Sequence, residues 1–392
     1  MRNNINRRRF LRYTATGGAG LLVPASLLGQ SQADIAASSK NNTAPEFEQR
    51  VLGRTGMKLP ILSMGVMRAD NPNLVKAAMR SGIVHFDTAH GYQKGNNEAM
   101  LGKVFKDVPR GSFTVATKIN LGKDVMAEKA PGMFMERFNT SMDRLGLDYV
   151  DILFLHAIDN AAAVLHGPIL EVMEKLKKEG RVRHTGVSTH KNEPEVIDAV
   201  IKSKVYEVAL TAYNFRQEHV AEMKTAIARA AEAGVGVIAM KTMAGAKNVN
   251  VSAALKWALQ DKNVCTAIPG FTNFEELDVC LEAAANLRYT PDEKAFMARA
   301  DSVPTLYCQQ CDACAGQCPQ NLPIPDLMRA YMYAHGYRNP GLAKETIAAL
   351  DLPDNPCSDC AACTVQCRSG FLVAEKIQNI ARVRSVPDEF LV

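Results

Sequence analysis

The chain has no cysteine before Cys265, and its first 33 residues contain no aspartate, glutamate or lysine. The first absence excludes a lipid anchor attached to a cysteine at the end of a leader segment. The second leaves Arg2, Arg7, Arg8, Arg9 and Arg12 to account for the whole formal net charge of +5, so the rest of the chain is neutral. A neutral body offers no broad basic face to nucleic acid. No apolar run is long and pure enough for a membrane-spanning helix. No G-x-G-x-x-G follows an early strand, which counts against a doubly wound dinucleotide-binding sheet. What is present, 392 residues with 47% hydrophobic content, suffices for a large core and a second domain.

The arginines have a pattern. Arg7-Arg8-Arg9-Phe10-Leu11 precedes a weakly apolar stretch rich in Gly, Thr and Ala, and Ser31-Gln32-Ala33 offers a small-x-small cleavage site. Residues 1–33 therefore resemble a twin-arginine export signal, with a basic disordered tail as the alternative. The expected location is periplasmic or otherwise exported. Residues 34–48 are polar and read as a linker.

From about residue 49 short apolar strands alternate with amphipathic helices. A hairpin is expected first, from Arg50–Gly53 and Met57–Leu59. Eight strands follow, at Ile61–Gly65, Val84–Asp87, Phe113–Thr117, Tyr149–Leu155, Val182–Val187, Val205–Leu210, Val235–Met240 and Val264–Ile268. Helical patterns separate them, including Phe134–Leu145 and Ala162–Lys178. Eight strand-helix units are the size of a TIM barrel, so the fold class is α/β with a (β/α)8 barrel over residues 49–298.

Eight of the ten cysteines fall in two runs of the same spacing: Cys308, Cys311, Cys314, Cys318, then Cys357, Cys360, Cys363, Cys367. The C-x2-C-x2-C-x3-C spacing is that of two-cluster ferredoxins, in which three thiolates hold one cubane and the fourth crosses to the other. Two 4Fe-4S clusters are expected, one on Cys308, Cys311, Cys314 and Cys367, the other on Cys357, Cys360, Cys363 and Cys318. Disulfides and zinc are the alternatives; disulfide frameworks rarely repeat the same three intervals. Cys265 and Cys280 lie in apolar periodic sequence and read as buried core thiols. Helical patterns at Asp326–Tyr337 and Leu342–Leu350 separate the runs. Residues 299–392 thus resemble a small α-helical ferredoxin-like domain.

Four ionisable residues stand at or just beyond strand C-termini: Asp87, Tyr92, Lys118 and His156. In a TIM barrel that face carries the active site. A lysine ammonium beside a tyrosine favours the phenolate and is expected to lower its pKa. Asp87 would hold Lys118 charged, His156 would donate to a substrate carbonyl, and Tyr92 would serve as the acid. Singly, each residue also fits a structural role. The segments Gly82–Tyr92, Glu98 with Leu101-Gly102, and Ser141–Asp151 running into Phe154-Leu155-His156 resemble those of the aldo-keto reductases over about residues 50–285.

That resemblance implies an oxidoreductase that uses NADP or NAD to reduce a small carbonyl or oxidise a hydroxyl. It also implies nicotinamide contacts from Ser188, Thr189 and Tyr213, and phosphate contacts near Gly270 and Lys241. Thr189 stands where asparagine is usual, and Leu210 where glutamine is usual. The basic residues often found at positions 270 and 276 are absent, which leaves NAD and NADP both open. Hydride transfer moves two electrons together and each cluster accepts one. The clusters then serve as a relay, with a redox partner protein or a quinone, or as a structural brace. The alternative function is an exported iron-sulfur electron-transfer or binding protein whose barrel has lost nicotinamide-dependent catalysis.

Overall fold

The computed structural model describes residues 47–391 apart from Ala244, Ala246, Lys247, Val303, Pro304, Asp351, Asp354, Asn355, Asp359, Ala361 and Ala362. The export-signal segment, and all of the linker but Phe47 and Glu48, lie outside the described residues.

Strands β1 (Gln49–Val51) and β2 (Lys58–Pro60) pair antiparallel. Eight parallel strands then follow in chain order: β3 (Met64–Gly65), β4 (His85–Asp87), β5 (Thr114–Ile119), β6 (Val150–Leu155), β7 (Val182–Thr189), β8 (Val208–Ala212), β9 (Gly236–Met240) and β10 (Val264–Ala267). Each pairs with its sequence neighbours, as right-handed strand-helix-strand units require. Bridges Leu62↔Ala267 and Gly65↔Gly270, with Ser63 N–H donating to Ala267 O at 2.9 Å, bring the first strand against the last.

Side chains alternate along each strand, so one set fills the barrel and the other packs beneath the helices. Ala116, Ile152, Phe154, Val208, Leu210, Ile238, Met240 and Cys265 make the inner cluster, joined at its base by Leu52 and Leu59 of the hairpin. Arg50 fastens that hairpin to the barrel floor, donating to the carbonyls of Leu259, Asp261 and Val264. Cys265 and Cys280 are buried, and burial pushes each thiol up to about 12.

Helices α1 (Pro72–Arg80), α2 (Asn96–Phe105) and α3 (Ala130–Leu145) cover the first strands. The expected helix over Ala162–Lys178 is instead two, α4 (Ala161–Val164) and α5 (Gly167–Lys178). Pro168 is the cause. It lacks an N–H to continue a helix and suits the first turn of a new one. Around the rest of the barrel run α6 (Glu193–Ser203), α7 (Val220–Glu232), α8 (Val251–Gln260), α9 (Phe274–Ala285) and α10 (Pro291–Ala298).

Beyond the barrel, α11 (Ile324–Tyr331) widens into a π-turn over Met332–Gly336, followed by α12 (Pro340–Ala348) and α13 (Val373–Ala381). Leu327, Met328, Ala343, Ile347, Ile377 and Ile380 form a separate core, and Cys308, Cys314, Cys318, Cys357 and Cys367 pack on it. This helical region lies on the C-terminal face of the barrel. Lys191 pairs with Asp312 at 2.9 Å, Glu218 with Arg368, and Lys241 donates to Tyr337 Oη at 2.7 Å. Those three barrel residues stand on loops after β7, β8 and β9.

Candidate active site

Period-two alternation puts His85 and Asp87 on the inner face of β4, Ala116 and Lys118 on that of β5, and Ile152, Phe154 and His156 along β6. Three neighbouring strands therefore aim Asp87, Lys118 and His156 at one volume. Tyr92 arrives from the turn after β4. That turn is held by left-handed Gln93 and Lys94, and Gln93 Nε2 donates to the carbonyls of Met67 and Ala69.

Lys118 is 1% exposed and donates to Asp87 Oδ1 at 2.5 Å, Thr88 O at 2.6 Å and Tyr92 Oη at 3.3 Å. Burial pushes Asp87 up and Lys118 down, each against the mutual attraction of the pair. Three oxygens around one ammonium keep the pair ionised. The rings of Tyr92 and His156 meet edge to face, centroids 5.8 Å apart. Burial, reinforced by Lys118, Arg329 and Lys241, holds His156 well below the usual imidazole range. At neutral pH it is an uncharged hydrogen-bond donor.

Tyr92 departs from expectation. Its pKa is raised, first by burial, then by the Asp87 carboxylate and by Tyr333 and Tyr337. Asp87 neutralises much of the lysine charge that was expected to favour the phenolate, and desolvation outweighs the remainder. The phenol keeps its proton at neutral pH, as an acid must.

The motif residues around the site brace it. Glu98 accepts from Thr117 Oγ1 at 2.6 Å and pairs with Arg144 at 3.3 Å; Arg144 also donates to His90 O at 2.8 Å. Helices α2 and α3 are thereby tied to the strand that carries Lys118.

The residues expected around a nicotinamide divide. Ser188 points inward and accepts from Ala157 N–H at 3.0 Å, which leaves its own proton to donate. Thr189 points the other way, its hydroxyl donating to Lys191 O at 2.7 Å. Tyr213 is not at the mouth. It is fully buried in the outer layer against Trp257, centroids 4.8 Å apart, and donates to Asp261 at 2.9 Å. It follows β8 on the side of the strand facing the helices, a placement that motif matching alone does not register. Gly270 is exposed at the end of β10, where a Cβ would lie 3.9 Å from Arg68 Cδ. Glu276 is taken up locally, accepting from the backbone and hydroxyl of Thr272.

Several residues escaped sequence reasoning because they stand far away in the chain. Arg68, on the loop after β3, supplies a cation beside Gly270. His190, held neutral by burial and by Lys241 and Arg329, lies within electrostatic range of His156. Arg329, Tyr333 and Tyr337 come from the helical region, and no spacing rule links them to the barrel.

The thiols gather in two fours. Cys308, pushed up to about 11 by burial, has Cys311, Cys314 and Cys367 as neighbours; Cys357, also about 11, has Cys360, Cys318 and Cys363. The second four line a recess of about 320 Å³, open mouth included, with Pro319, Leu322 and Ile324. Among the described residues no three His, Cys, Asp or Glu side chains are set to hold a single metal ion.

A closed ring of eight parallel strands, carrying an ion pair, a phenol and an imidazole at its C-terminal end, defines a (β/α)8 barrel with a polar site at its mouth. Residues 56–249 match the sequence model of the aldo/keto reductase family, and this part of the chain is an aldo/keto reductase family domain. Among curated relatives, L-galactose dehydrogenase of Arabidopsis thaliana is 35% identical over 159 residues, 36% of this chain and 49% of that protein. The NADH-specific methylglyoxal reductase of Escherichia coli K12 is 32% identical over 127 residues, 28% of this chain and 38% of that protein. The chain spans about half the length, or less, of the curated relatives it matches. Among solved structures, the holo form of an aldo-keto reductase from Bacillus halodurans superposes with a TM-score of 0.54 at 21% identity, over 65% of this chain and 96% of that one. This last likeness concerns the fold alone.

Proposed function

We propose that the chain is a nicotinamide-dependent oxidoreductase that reduces a small carbonyl, or oxidises the corresponding alcohol, at Asp87, Tyr92, Lys118 and His156. The observation that carries the reading is the buried Lys118 ammonium, shared between Asp87 at 2.5 Å and Tyr92 at 3.3 Å. Neutral His156 and protonated Tyr92 converge on the space where a carbonyl oxygen would gain charge, and both donate to it. A bound nicotinamide would supply the hydride. Tyr92 then gives its proton to the alkoxide, and Lys118 stabilises the phenolate left behind. The protein groups that fit the cofactor are Ser188, with a free hydroxyl proton, and the cations Lys241 and Arg68. The names of the two curated relatives, a dehydrogenase and an NADH-specific reductase, agree with this chemistry. An intact tetrad disfavours the alternative of a barrel that has lost catalysis.

The two fours of thiols fit a pair of 4Fe-4S clusters by donor chemistry. A cubane carries its thiolates on separate iron atoms, so they stand further apart than ligands of one ion. Cys308, Cys311, Cys314 and Cys367 would hold one, Cys357, Cys360, Cys363 and Cys318 the other, and the chemistry supplied is one-electron transfer. With the paired arginines at positions 7 and 8, the proposal extends to export after assembly in the cytoplasm, since the twin-arginine route carries folded proteins.

Purifying the protein without oxygen and titrating it with NADH and NADPH tests the enzyme reading. Released or titrating nucleotide that quenches fluorescence is expected. No bound nucleotide and no quench with either would overturn it.

A further inference from the structure

Two cations at the barrel mouth, Arg68 and Lys241, have no carboxylate within ion-pair distance among the described residues. Both face the same phenol. Lys241 Nζ donates to Tyr337 Oη at 2.7 Å and lies 4.6 Å from the ring centroid, while the Arg68 guanidinium stands 5.5 Å from it. Lys241 is delivered from a left-handed backbone position, φ 58°, which a lysine rarely adopts. Beside them the end of β10 is kept bare by Gly270, and the next residue after Lys241, Thr242, has a buried hydroxyl without a hydrogen-bond partner among the described residues.

A neutral phenol is a weak counterpart for two cations. Cation–π contacts hold a cation weakly, whereas a phosphate offers full charge and several acceptors. The turn that presents Tyr337 is itself tightly set, because Tyr307 packs so closely on Gly336 that an added Cβ would lie 2.4 Å from the ring. Tyr333, 5.8 Å from Tyr337 by ring centroids, continues the same cover. Consistent with closeness to the catalytic groups, both tyrosines help to raise the pKa of Tyr92.

We propose that Arg68 and Lys241 form a phosphate-binding pair that Tyr337 covers, so that Tyr337 decides whether a phosphate-bearing nucleotide reaches the barrel mouth at Tyr92. This rests on the nucleotide-dependent reading above and adds that the helical region and the dinucleotide compete for the same cations. Closure and binding are then mutually exclusive, and the apparent affinity falls with the fraction of molecules that stand open.

The test is equilibrium titration of the full-length protein with NADH and NADPH, comparing wild type, Tyr337→Ala, Tyr337→Phe and Tyr337→Ala/Arg68→Met. Tyr337→Ala is expected to bind at least about tenfold more tightly than wild type, the gain that corresponds to an open fraction of about one-tenth or less in wild type. Tyr337→Phe, which loses only the hydrogen bond, should fall between them, and adding Arg68→Met should undo the gain. In wild type, NADPH should speed amide hydrogen exchange over residues 332–336. Equal affinity in wild type and Tyr337→Ala, with weaker binding by Tyr337→Ala/Arg68→Met, would overturn the cover while leaving the nucleotide reading intact. No binding by any variant would overturn the nucleotide reading and the cover with it.

Discussion

His85 shows how a single inward-facing position can carry a cost that chemistry does not use. It lies one inward step below Asp87 on β4, with Nδ1 bonded to Thr114 Oγ1 at 2.8 Å and Nε2 buried without a partner among the described residues. Burial first, then Lys118, lowers its pKa from 6.5 to about 3. The folded state therefore holds it neutral while the unfolded chain protonates it below 6.5. Its contribution to stability is complete above pH 6.5 and is lost between 6.5 and about 3, at about 1.4 kcal/mol per pH unit. Denaturant titrations at pH 7 and pH 5 should show a steep acid loss in wild type and a shallower one in His85→Gln; parallel losses would refute this assignment. At this same scale the convergence of Asp87, Lys118 and His156 was legible in the sequence, since strand-end position and period two fix where the three side chains point. The protonation of Tyr92 was not, because it depends on desolvation and on two tyrosines more than 200 residues away.

At the scale of elements, Glu98 with Leu101-Gly102 and the segment Ser141–Asp151 stand out because α2 and α3 must touch closely. Gly102 of α2 lies against the last turn of α3, where an added Cβ would sit 2.4 Å from Arg144 O and 2.9 Å from Leu145 O. Backbone atoms cannot yield as a flexible side chain does. Gly102→Ala should therefore lower stability by about 1–3 kcal/mol, read as a reduced denaturant midpoint at unchanged slope. An unchanged midpoint would show that the helices separate freely. Strand positions were legible from alternation to within about three residues, whereas the break between α4 and α5 was hidden because the apolar pattern runs on through Pro168. The burial of Tyr213 was hidden for a related reason: a motif names the residue, and the alternation after Ala212 decides which side of the sheet it takes.

Across the whole molecule, the helical region and the barrel mouth are joined by contacts to loops after β7, β8 and β9. The barrel was legible from its eight repeats and the thiol runs from their spacing. Their apposition was not, since Lys191–Asp312 and Lys241–Tyr337 link positions that no periodicity connects. The crossed thiol groups make a quantitative expectation for the holoprotein. Cys311→Ala should lose about half of the bound iron while the other cluster stays, measured by iron analysis and low-temperature electron paramagnetic resonance of the reduced protein. Iron unchanged, or absent from wild type purified without oxygen, would refute the cluster assignment. Hydride transfer in the barrel is tested most directly by following deuterium from C4-deuterated NADH or NADPH into the product of a small aldehyde, with wild type and Tyr92→Phe side by side. One deuterium is expected on the carbinol carbon of the wild-type product, and a rate about 10²–10⁴-fold lower for Tyr92→Phe at an unchanged melting temperature. Reduction without transfer of the label, or a Tyr92→Phe variant as fast as wild type, would contradict it.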